Sequence, residues 1–104
     1  MLTTLTSPKI TVIRPQGHLK DTKASEFERD MISALTQETD TTLLVNLELV
    51  ESIDSYGLMS LVSALKLANK LERNFQICSV SPSVKIILEL TQLDGVLKIC
   101  EPEI

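Results

Sequence analysis

The run Leu43-Leu44-Val45-Asn46-Leu47 does most to narrow what this chain can fold into. It lacks the alternation of a strand wetted on one face, and it is too short to be a buried helix. Runs of this kind belong to strands covered on both faces, and such strands sit in parallel sheets flanked by helices. The segments on either side supply those helices. From a cap at Asp21 or Thr22, the residues Ala24, Phe27, Met31, Ile32 and Leu35 recur at helical spacing, with Glu26, Glu28, Arg29 and Asp30 on the other sides. After the run, Leu58 to about Leu71 has no Gly or Pro and is rich in Leu and Ala, strong helix formers.

The rest of the chain repeats the alternation. Lys9 to Ile13 alternates polar and apolar and reads as a strand, ended by Pro15, with a short continuation through Gly17-His18-Leu19. Gln76 to Val80 gives a further strand. Ser81-Pro82 places an N-cap before a proline at the first helical position, so about Pro82 to Leu90 is expected to be a helix. The β-branched content of Val84 to Leu90 would also suit a strand, and the Ser81-Pro82 start decides for the helix. Asp94-Gly95 marks a turn, and Val96 to Ile99 a last strand before a polar tail. Strands separated by helices pair mostly in parallel through right-handed crossovers. The expectation is a single small α/β domain over residues 1–104, with a mixed, mostly parallel four- to five-stranded sheet and helices packed against it.

Composition removes several kinds of function. Ten Lys plus Arg against fourteen Asp plus Glu leave a formal charge of −4, and the aromatics are limited to Phe27, Tyr56 and Phe75. Nucleic-acid binding needs a basic stripe, and single-strand platforms need exposed aromatics, so no nucleic-acid partner is expected. No apolar run approaches membrane-spanning length and no secretory segment opens the chain, so it reads as a cytoplasmic protein without membrane insertion. Gly17, Gly57 and Gly95 stand singly at element boundaries, which removes phosphate-cradling and dinucleotide loops. His18 stands alone, and Cys78 and Cys100 lack ligand spacing, so neither metal nor cofactor is expected; the cysteines read as small, buried, reduced hydrophobes. His18 after a turn glycine reads as a solvated loop residue rather than the general base of one of the serines.

One segment stands out: Ile53-Asp54-Ser55-Tyr56-Gly57-Leu58, a strand-to-helix turn with small polar residues at its tip. Parallel sheets present ligand and partner surfaces outside the carboxyl ends of their strands. Ser55 stands just before a helix whose first amides lack internal partners, a favourable place for a phosphate. Asp54 and Ser55 equally suit the plain role of helix caps. Beyond them, the polar sector of the helix holds Ser63, Lys66 and Lys70, with the apolar Met59 in its middle, a pattern that reads as a partner surface.

Asp54-Ser55-Tyr56-Gly57-Leu58, after a Leu/Val-rich strand and before a Leu/Ala-rich helix, resembles the STAS domain of anti-sigma factor antagonists. The resemblance spans nearly the whole chain, from the opening strand with Gly17 to the Leu93-Asp94-Gly95-Val96 turn. It implies a regulatory binding module and not an enzyme, acting in partner switching. Ser55 would be phosphorylated by a partner that is both anti-sigma factor and serine kinase; the unphosphorylated form binds that partner and frees the sigma factor, and the phosphorylated form lets go. Asp21, Asp54, Ser55, Tyr56, Gly57, Met59 and Ser63 would form the partner surface, a serine phosphatase would be a second partner, and the protein would be a monomer or weak dimer. Tyr56 stands where many members carry a second Ser or Thr. Lys20, with Asp21 one place later, stands where many carry an acidic residue. Relatives that do not switch serve as subunits of stress-signalling scaffolds or of lipid and anion transporters, and this is the alternative reading.

Overall fold

A computed structural model describes residues 9–37 and 41–100. The apolar run from Leu43 to Asn46 lies in β3 (Thr41–Asn46), with Leu47 just past its end; β3 pairs on one side with β1 (Lys9–Ile13) and on the other with β5 (Asn74–Cys78). β6 (Lys98–Cys100) completes a four-stranded sheet in the order β1-β3-β5-β6, parallel at every pairing. The register sets Leu43 beside Phe75 and Val45 beside Ile77, and all four are buried. Leu44 lies between Val12 and Gln76 on the other face, where Val12 is exposed and Leu44 and Gln76 are half-buried. Burial therefore alternates along β3, and the strand is not covered on both faces, contrary to the expectation from its sequence.

Two further strands, β2 (Gly17–Leu19) and β4 (Val50–Ile53), form a separate parallel ribbon instead of widening this sheet. β4 is absent from the sequence reading, which ran the buried strand directly into the second helix. Its four residues are too few for a periodic signal, and Val50 is turned into place by a bond from its amide to the Leu47 carbonyl (3.1 Å). The ribbon matters because it carries the chain to the head of that helix.

The helices follow from their apolar spacing. α1 (Asp21–Gln37) buries Ala24, Phe27, Met31 and Leu35, as expected. Its first acceptor is the Lys20 carbonyl, which takes the amides of Lys23 and Ala24, so the cap position is Lys20 rather than Asp21 or Thr22. Asp21 sits in the left-handed region (φ 53°), which aspartate tolerates better than most residues. α2 (Ser55–Lys70) packs against α1 and over β4 and β5. It is stopped by Glu72 in the left-handed region, with the Arg73 amide reaching back to the Ala68 carbonyl (2.8 Å). α3 (Pro82–Leu90) has the expected bounds, with proline in its first turn. Ser81 occupies the cap position, but its hydroxyl donates to the Val50 carbonyl (3.3 Å) and so ties α3 to β4.

β5 and β6 each begin two residues from their predicted starts, and Phe75 lies inside β5 rather than before it. Asp94-Gly95 falls in a single 3-10 turn, Leu93–Gly95. The core is one continuous cluster that joins both sheets to all three helices. Cys78 is free and buried, whereas the side chain of Cys100 and the polar tail at 101–104 lie outside the described residues.

Candidate functional site

The two-stranded ribbon delivers the chain to α2 at a fixed height. Leu19 is in register with Ile53, and the Asp54 amide donates to the Leu19 carbonyl (3.3 Å), so the ends of β2 and β4 are locked where the helix begins. Asp54 has extended backbone (φ −105°, ψ −172°), and its carboxylate accepts from the Gly57 amide at 3.0 Å. Its own carbonyl accepts from Leu58 at 2.9 Å. Asp54 is therefore the N-cap.

Ser55 is not a cap. It is the first residue of α2, three positions before the predicted start, so Ser55 and Tyr56 lie in a helical turn and not in a loop. Asp54 uses the Gly57 amide, which leaves the amides of Ser55 and Tyr56 as the first-turn donors with no intrahelical acceptor. Ser55 is exposed, and its hydroxyl bonds to no described residue. A nucleophilic oxygen is thus displayed at the positive end of a sixteen-residue helix, beside two free amides.

The helix sorts the remaining candidates by direction. Tyr56 (64% exposed), Met59 (61%) and Ser63 follow Ser55 at helical spacing along the outer face. Gly57 points the other way and is buried, so it does not belong to a contact surface. A Cβ there would lie 2.5 Å from Ile53 Cγ1 and 2.7 Å from the Leu19 carbonyl oxygen. Its role is to let the first turn of α2 rest directly on the β2–β4 ribbon, an approach that no side chain permits. Asp21 is exposed at the start of α1, just past the end of β2, on the same side of the molecule as Asp54.

Ser60 was missed in the sequence reading. It is buried (2% exposed), and its hydroxyl lies 2.9 Å from the Tyr56 carbonyl, 3.1 Å from the Ala24 carbonyl and 3.4 Å from Glu28 Oε1. With a single proton it donates to one of these at a time, and the Ala24 and Glu28 contacts fasten α2 to α1. Helical spacing did offer a signal: Gly57, Ser60, Ala64 and Ala68 form a small-residue stripe that lets α1 approach.

His18 is not a loop residue but the middle of β2, and its Nδ1 lies 2.6 Å from Ser52 Oγ on β4. The histidine pairs with a serine of the ribbon and not with Ser55. Among the described residues no group of three or more His, Cys, Asp or Glu side chains is placed to hold a metal, and no helix is long and apolar enough to cross a membrane. The arrangement at α2 is a displayed hydroxyl at the head of an exposed helix face.

A TM1081 homologue of Thermotoga neapolitana, named as an anti-sigma factor antagonist, is 28% identical over 90 residues, covering 86% of this chain and 80% of that protein. The crystal structure of TM1081 from Thermotoga maritima superimposes with a TM-score of 0.80 at 28% identity, covering 91% of this chain and 80% of the other. The anti-sigma factor antagonist SpoIIAA in its unphosphorylated form shares the fold with a TM-score of 0.78 at 18% identity, over 96% of this chain and 85% of its own. The STAS domain model itself matches residues 1–103, and the chain belongs to the STAS domain family.

Proposed function

We propose that this STAS domain is an anti-sigma factor antagonist that switches partners through Ser55. The observation that carries the reading is the position of Ser55: exposed, in the first turn of α2, and continuous with the outward stripe of Tyr56, Met59 and Ser63. The unphosphorylated surface binds an anti-sigma factor that is also a serine kinase, and Asp21 and Asp54 border the contact. Phosphorylation of Ser55 dissociates the complex, and a serine phosphatase restores it, all in the cytoplasm. SpoIIAA, whose fold this chain shares, has been solved in a phosphorylated form as well.

The physics favours release without unfolding. A phosphoserine adds close to two negative charges at neutral pH, and the free amides and dipole of the α2 N-terminus accommodate them. The change is felt by the partner. A carboxylate of the partner facing the new phosphate is repelled, and Asp54, which caps the same turn, adds to the negative charge there. At about 4 Å one like-charge pair costs about 1 kcal/mol in water and about 4 kcal/mol at an effective dielectric of 20. Since about 1.4 kcal/mol is tenfold in affinity, one phosphate is enough to release the partner.

The domain supplies no chemistry of its own in this scheme; the kinase does. Incubation with the cognate kinase and ATP, followed by mass spectrometric localisation, is expected to find phosphate on Ser55 and none on the Ser55→Ala protein. Equal phosphorylation of the two would refute the assignment.

A further inference from the structure

The outward stripe of α2 continues past Ser63 to Lys66 and Lys70, both exposed, and these lysines are the only charged residues in the helix. The chain as a whole carries −4, so this is a basic strip on an acidic protein. Neither lysine has an ion-pair partner among the described residues, where the one salt bridge joins Arg14 to Glu48 (3.2 Å). Lys70, in the last turn, complements the helix dipole, an effect that falls off within that turn and does not reach Lys66. The stripe therefore has two halves: Tyr56 and Met59 offer apolar contact beside Ser55, and the lysines offer positive charge further along.

Resting on the function proposed above, we infer that the partner of this face carries an acidic patch set against Lys66 and Lys70, in addition to an apolar pocket for Met59. At a rise of about 1.5 Å per residue, the carboxylates face points about 10 and 16 Å along the helix from Met59. The same rise sets Ser55 about 16 Å from Lys66, roughly twice the screening length of about 8 Å at physiological ionic strength. The lysines consequently do not neutralise a phosphate on Ser55. They steer and retain the partner whether or not the serine is modified, while the Ser55 end decides release. Charge complementarity of this kind acts mainly on association rate and salt dependence.

The test uses the anti-sigma factor partner, with affinity measured by calorimetry for the wild type, Ser55→Asp, Lys66→Glu/Lys70→Glu and Lys66→Arg/Lys70→Arg. The double Glu variant is expected to bind about tenfold more weakly at low salt, converging on the wild type near 1 M salt, while the Arg variant binds like the wild type. Adding Ser55→Asp to the Glu variant is expected to weaken binding by the same further factor as in the wild type. Thermal melts unchanged from the wild type verify that the exposed substitutions leave the fold intact. Unchanged affinity in the Glu variant, with the Ser55→Asp effect retained, would overturn this inference alone. A partner indifferent to Ser55→Asp would overturn the switching function and not the acidic contact, if the Glu variant still weakens it. Binding to mixed phosphatidylglycerol and phosphatidylcholine vesicles that disappears in the Glu variant would overturn it in favour of a lipid surface.

Discussion

The inner and outer faces of α2 obey opposite rules. On the inner face Gly57, Ser60, Ala64 and Ala68 are small and buried where α1 and the β2–β4 ribbon come close, and a Cβ at Gly57 would already meet Ile53 and the Leu19 carbonyl. On the outer face Tyr56 and Met59 are large, flexible or aromatic, and exposed, where a soluble helix ordinarily shows small polar or charged residues. The inner face holds the helix in place, and the outer face has no structural reason to look as it does. Under the proposed function, the difference separates residues whose loss destabilises the domain from residues whose loss only deprives it of a partner.

The largest effect is expected where the inner face is tightest. Gly57→Ala brings a methyl group against Ile53 and the Leu19 carbonyl, and relieving that overlap requires the backbone of β2 to move. A loss of about 2 kcal/mol is expected in denaturant unfolding, with Gly57→Val worse; a wild-type midpoint would break the comparison at its root. Ser60→Ala removes the buried hydroxyl that ties α2 to Ala24 and Glu28, for about 1 kcal/mol. Asp54→Ala, at the junction of the two faces, gives up the cap on the Gly57 amide at a similar or slightly smaller cost, and Asp54→Ser should recover most of it. On the outer face, Met59→Lys should shift stability by no more than about 0.5 kcal/mol while weakening the partner complex severalfold. A destabilised Met59→Lys, or one with undiminished affinity, would show that the outer face is not what distinguishes it.

The comparison also shows why parts of the molecule could be read from its sequence and others could not. α3 was legible because Ser81-Pro82 marks its start with a local signal. α1 was legible because its periodicity and burial agree, whereas the central strand was legible from its short apolar run alone, since burial alternates along it although the sequence does not. The start of α2 was placed at Leu58 because Ser55, Tyr56 and Gly57 are poor helix formers and a glycine reads as a boundary. What overrides propensity there is tertiary: the Asp54 cap and the contact of Gly57 with a strand far away in sequence. Ser60 escaped notice for the same reason, since a serine inside a helix looks solvated until α1 is laid against it. The outer face was legible because exposure on a helix follows from angle alone, and Met59 was anomalous at that angle before any packing was known.

The central claim is that the outer face of α2 is a docking surface whose occupancy is set by Ser55. The most direct measurement is the affinity of the anti-sigma factor partner for the wild type, Ser55→Ala and the phosphorylated domain under one set of conditions. The account predicts that the wild type and Ser55→Ala bind alike, and that the phosphorylated domain, folded as before by circular dichroism, binds at least tenfold more weakly. Equal affinity of the phosphorylated and unmodified domains would contradict it.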